Sequence, residues 1–155
     1  MRLATQSGDR WQYLLNRHEA DILRGLLKTF PFTELARAEA SKNDHDQSAR
    51  ERAELLTASL TEHRDELRQL AANLLGAEHW RVSENGHLLT LDSAAREILL
   101  QILNDIRIGS WRVLGEPEVL EEHRPATTRE FTHRQLMDLA GYFEMGLLEP
   151  EEGAG

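Results

Sequence analysis

Apolar and polar positions alternate in two short stretches of this chain and recur at helical spacing over most of the rest. The opening residues predict a hairpin: Arg2 to Gln6, a Ser7-Gly8-Asp9 turn, then Trp11 to Leu14, with glycine supplying the positive φ of a tight turn. Asn16 with Glu19 three residues on makes an N-cap pattern close to a capping box. Behind it Ile22, Leu23, Leu26, Leu27 and Phe30 share one helical face, and Pro31 ends that helix. From Thr33 to Arg50 the chain is polar and predicts a loop centred on Ser41 to Asp46. A second helical stretch runs from about Ser48 to Leu75, with Thr61 the place where a break would fall. There Leu55, Leu56, Leu60, Leu67, Leu70, Leu74 and Leu75 mark the side expected to be buried, and Gly76 is placed to stop the helix.

Trp80 to Leu91 carries the clearest strand signal. Asn85-Gly86 at its centre predicts a two-residue turn that pairs Glu84 with His87, Val82 with Leu89 and Trp80 with Leu91. A two-stranded hairpin is marginal alone, so this one must pack on helices or join the N-terminal hairpin. Asp92 then caps a long helix that Gly115 and Pro117 close. After a polar segment, Thr127-Thr128-Arg129-Glu130 reads as a capping box for a last helix to about Leu148. Its expected core side is Phe131, Leu136, Leu139, Phe143 and Leu147. The pattern therefore predicts one mainly α domain over residues 1–148, a compact bundle of four to five helices around the long one, with one or two short β-hairpins. Residues 149–155 read as a flexible acidic tail.

The long helix repays a reading on its wheel. At 100° per residue, Ala95, Ile98, Leu99, Ile102, Leu103, Ile106, Val113 and Leu114 form one wide apolar face, with Gly109 and Ser110 on it. Leu100, Asn104, Ile108 and Trp111 form a second stripe, leaving a narrow wet strip of Ala94, Gln101, Asp105 and Arg112. A helix apolar on most sides is either central to its own domain or sits at an interface. The packing explanation is the commoner one. The interaction explanation nominates Leu100, Asn104, Arg107, Ile108 and Trp111 as a partner surface, since aromatics and arginines make good anchors.

Composition narrows the function classes. The net charge of −9 argues against nucleic acid, whose phosphates need clustered Lys and Arg. The absence of cysteine excludes disulfides, thiol catalysis, zinc–thiolate sites and iron–sulfur clusters. No signal peptide and no stretch near 18 uncharged apolar residues is visible, so the expectation is a cytoplasmic protein without membrane contact.

Candidate chemistry is sparse. Asn104 and Arg107 are neighbours at i,i+3, but Asp105 points about 160° from Arg107, so the three cannot form one compact site. Bonds from Asn104 and Arg107 to a neighbouring loop or to tail carboxylates are the ordinary outcome. Glu130-Phe131-Thr132-His133 has E-x-x-H spacing, half of a di-iron motif, yet it occurs once and reads as lying on the outer face. The histidines His18, His45, His63, His79, His87, His123 and His133 show no metal-ligand spacing, and no phosphate loop or nucleophile elbow occurs. The expectation is that no cofactor or metal is bound.

The run Leu103-Asn104-Asp105-Ile106-Arg107-Ile108, followed by Gly109-Ser110-Trp111-Arg112-Val113-Leu114-Gly115, resembles the helix signature of the mostly actinobacterial domain of unknown function family numbered 2017. Glu19-Ala20 and Leu23-Arg24-Gly25-Leu26-Leu27 also look like that family's opening, whereas Thr33 to His87 departs from its pattern. The resemblance covers the two ends, about half the chain, and implies no known activity. Genes of such families often lie beside that of the Clp protease adaptor ClpS, which implies a link with regulated proteolysis by association only. The leading expectation is a non-catalytic interaction or regulatory module whose partner is another protein or a second copy of the chain. The alternatives are an enzyme whose acid–base groups (Glu19, Asp105 or a histidine) converge only in three dimensions, and a domain that merely self-associates.

Overall fold

The computed structural model describes residues 1–31 and 47–149. Among them, strands β1 (Arg2–Ser7) and β2 (Arg10–Leu15) lead into helix α1 (Arg17–Thr29), followed by α2 (Gln47–Leu74) and strands β3 (Trp80–Ser83) and β4 (Gly86–Leu91). Then come α3 (Ser93–Val113), a 3-10 turn at Leu120–Glu122 and α4 (Thr128–Leu148). The chain is mainly helical, but the two hairpins join into one four-stranded antiparallel sheet of order β1-β2-β4-β3. The architecture is thus mixed, with helices against a sheet, and departs from a helical bundle trimmed with separate hairpins. Of the stretch expected to be a loop, residues 47–50 belong to α2, and residues 33–46 lie outside the described residues, as do 150–155 of the tail.

Local sequence signals set the helix ends. Asn16 Oδ1 accepts from the Glu19 amide at 2.8 Å, and the Glu19 carboxylate accepts from the Asn16 amide at 2.8 Å, a complete capping box. Asp92 caps α3 by accepting from the Ala95 amide. At the other end, Gly115 (φ 89°) donates to Arg112 and Glu116 donates to Trp111, the paired bonds of a Schellman turn. Before α4, Thr127 accepts from the Glu130 amide, while the Glu130 carboxylate reaches back one residue further than expected, to the Ala126 amide.

The β3–β4 register differs from the expected one. Ser83 pairs with Gly86 and Val82 with His87, so Glu84 and Asn85 make the turn. The shift is by two residues along the pairing, which keeps every side chain on its face. The physical reason is the neighbouring strand. Leu15 pairs with His87, and a Cβ on Gly86 would stand 2.1 Å from the Leu15 carbonyl oxygen. Glycine is held at 86 by close strand approach and by its φ of 140°, and it opens β4 instead of turning the chain.

The core lies between the sheet's helix-facing side and α1, α3 and α4. Tyr13, Leu15, Leu89 and Leu91 meet Leu23, Leu99, Ile102, Leu103, Ile106, Phe143 and Leu147 there, all at most 1 % exposed. The α2 helix buries Leu67, Ala71 and Leu74 in this core, with Leu70 partly buried against it. It runs without a break, and Leu55 and Leu56, expected on its buried side, are 72 % and 60 % exposed. The helix is longer than the core it packs on, so periodicity continues where burial has stopped.

Gly86→Ala should cost about 3 kcal/mol or more, because both the clash and the φ oppose it. Gly8→Ala, at φ 57° with nothing within 4 Å of the new methyl, should cost about 1 kcal/mol. Urea denaturation of the two variants checks this; equal losses would remove the close-approach explanation.

Candidate interaction surface

The stripe nominated on the long helix is only partly open. Leu100 packs against the core, and Trp111 is half-buried with its indole Nε1 donating to the Pro117 carbonyl at 3.1 Å. The aromatic expected to anchor a partner instead ties down the chain that leaves its own helix. Arg107 donates from Nη1 to the Glu144 carboxylate of α4 at 2.6 Å, an ion pair whose acid is 13 % exposed. Asn104 is exposed and Ile108 is 41 % exposed. Asn104, Arg107 and Ile108 are thus exposed and Leu100 and Trp111 partly buried, with Arg107 and Trp111 also bonded within the fold.

The α3–α4 contact overturns two expected faces. His133 is 5 % exposed and meets the fully buried Ser110 through Nδ1 and Oγ at 3.1 Å, so it faces inward. Phe131, two residues away and so about 200° round the helix, is turned out and 53 % exposed. A small serine on α3 admits the imidazole, and the hydrogen bond satisfies both polar groups. Glu130, the other half of the E-x-x-H spacing, is occupied at the α4 N-terminus. Among the described residues no group of three or more His, Asp and Glu side chains could hold a metal ion.

Glu19, one of the acids named for the enzyme alternative, is built into the α1–α4 junction. Its carboxylate accepts from the Met1 amino group and from the Tyr142 hydroxyl, besides capping α1. Met1 also donates to Tyr142 at 2.9 Å and lies against Gly146, where an added Cβ would be 3.1–3.4 Å from Met1 atoms. Partial burial works to raise the Glu19 carboxyl, but the hydrogen bonds from the Met1 amino group, Tyr142 and the Asn16 amide outweigh it and hold it below its ordinary value. The same contact raises the Tyr142 phenol.

Among the described residues a further apolar surface stands open on α2, whose leucines the sequence pattern assigns to the core. Ala53, Leu56, Leu60, His63, Leu67, Leu70 and Leu74 follow alternating steps of three and four residues, the spacing of a coiled-coil seam. The lower part of that seam, Leu67 and Leu74, is buried; Leu56 above it is exposed, with Leu55 beside it. The signal that could have separated the two parts is the heptad's length, since a seam of over twenty residues outruns the 13-residue α1 that it packs beside.

No helix of the described residues is long and apolar enough to cross a membrane. No protein-family model matches the chain, and no curated protein or solved structure matches it.

Because the folded Glu19 carboxyl is lowered, it contributes stability above the ordinary glutamate value of about 4.3 and loses it as pH falls through the folded value. Glu19→Gln should therefore flatten the fall in melting temperature below about pH 4.3. Parallel melting profiles for the two proteins between neutral and acid pH would contradict the assignment.

Proposed function

We propose that the protein is a non-catalytic interaction module of the cytoplasm, and that α2 presents its leucine face to a helical segment of a protein partner. The observation that carries this reading is the exposure of Leu55 and Leu56 on a helix whose buried residues all lie in its last third. The first twenty residues of α2 extend about 30 Å. A helix of that length is marginal in water by itself and gains most of its stability from burying an apolar face. A partner helix laid along Ala53, Leu56 and Leu60 would continue the seam that Leu67 and Leu74 already use. The original stripe contributes less to this reading, because Trp111 and Arg107 have partners within the chain. The resemblance to the family numbered 2017 agrees with a regulatory role and adds no activity of its own.

Leu55→Glu/Leu56→Glu should keep helicity and stability within about 0.5 kcal/mol of the parent, since both side chains are exposed. It should also weaken partner capture from native extract at least about tenfold. Ile108→Glu, on the other surface, should capture normally. Light scattering on the parent and the double variant separates a second copy from a different partner. Identical capture by all three proteins would overturn the proposal.

A further inference from the structure

A cavity of about 350 Å3 opens between the end of α1 and the last turns of α2, away from the α2 leucines. Leu27 and Phe30 on one side and Ala72 and Leu75 on the other supply an apolar lining, and Lys28 and Arg68 supply positive charge. This size falls at the small end of small-molecule sites, which combine an apolar wall with a few polar groups that fix orientation. Both cations are exposed, and neither has an ion-pair or hydrogen-bond partner among the described residues. The two cations come from neighbouring helices and border the same apolar hollow.

The charge pattern selects the ligand class. A polyanion would meet the repulsion of a −9 chain, whereas one carboxylate adds a single charge and suits the arginine fork together with a lysine ammonium. Lys28 also stands in the last turn of α1, where the helix dipole favours a cation. The apolar lining requires a body that can leave water. We infer that this hollow binds a small amphipathic monocarboxylate, with its carboxylate on Lys28 and Arg68 and its aliphatic or aromatic body against Leu27, Phe30, Ala72 and Leu75. The site is independent of the α2 leucine face, and either could fail without the other.

Calorimetric titration of the full chain with 3-phenylpropionate, 3-phenylpropanol and acetate tests the inference. The acid should bind with a Kd of about 1 mM or tighter, in keeping with its size, and at least about fivefold more tightly than the alcohol; acetate should not saturate. Lys28→Gln and Arg68→Gln should each weaken the acid about fivefold and leave the alcohol unchanged. Both side chains are exposed, so the variants keep the fold, and an unchanged melting temperature verifies that. Equal affinity for acid and alcohol would reduce the site to an apolar notch. Undiminished binding in both variants would put the carboxylate elsewhere, and no saturation by the acid below about 10 mM would remove the site altogether.

Discussion

The carbonyl of Leu147, near the end of α4, accepts from the Arg96 guanidinium of α3 at 2.6 Å and from the Tyr13 hydroxyl of β2 at 3.2 Å. Arg96 Nε also donates to that hydroxyl at 2.8 Å, and its guanidinium carbon stands 5.3 Å from the centre of the Trp11 ring. One cation thus joins the sheet, the long helix and the last helix at a single buried point. It is well chosen for the place, because the last carbonyls of a helix lack partners within the helix and carry partial negative charge. Burial raises the Tyr13 phenol while Arg96 opposes the rise, so the phenol stays a neutral donor in the core. The packing of Leu99, Ile102, Phe143 and Leu147 follows from having these three elements fixed at that end.

From that point the domain loosens outward. The sheet is anchored again where Trp80 donates to the Leu74 carbonyl at 2.9 Å while Arg24 lies 4.3 Å over its ring, binding β3 to the middle of α1 and the end of α2. Beyond Leu67 towards its own N-terminus, α2 has no buried side chain among the described residues. The carboxylate hollow and the leucine face therefore belong to the same helix but to different regimes: one where α2 is held by α1, the other where it stands clear.

Much of the fold was legible because its signals are local. The caps of α1, α3 and α4 are set by side chains within three or four residues of the amides they serve, and the Schellman turn at Gly115 needs only its own six residues. The candidate site was less legible. The wheel found a second stripe on α3, but it could not see that Trp111 would donate to Pro117 or that Arg107 would reach Glu144, since those partners come from the loop beyond the helix and from another helix.

Periodicity by itself determined where helices and strands form, and which residues of each share a face. Tertiary structure decided which faces are covered. His133 and Phe131 exchange places because Ser110 leaves room and a hydrogen-bond partner, and the β3–β4 pairing moves by two because β2 comes too close for anything but glycine at 86. Leu55 and Leu56 carry the same pattern as Leu67 and Leu74, yet only the latter find a core beneath them. A repeat along one chain specifies a direction for burial. What lies in that direction is set by elements distant in sequence, and among the described residues nothing lies beneath the leucines at 55 and 56.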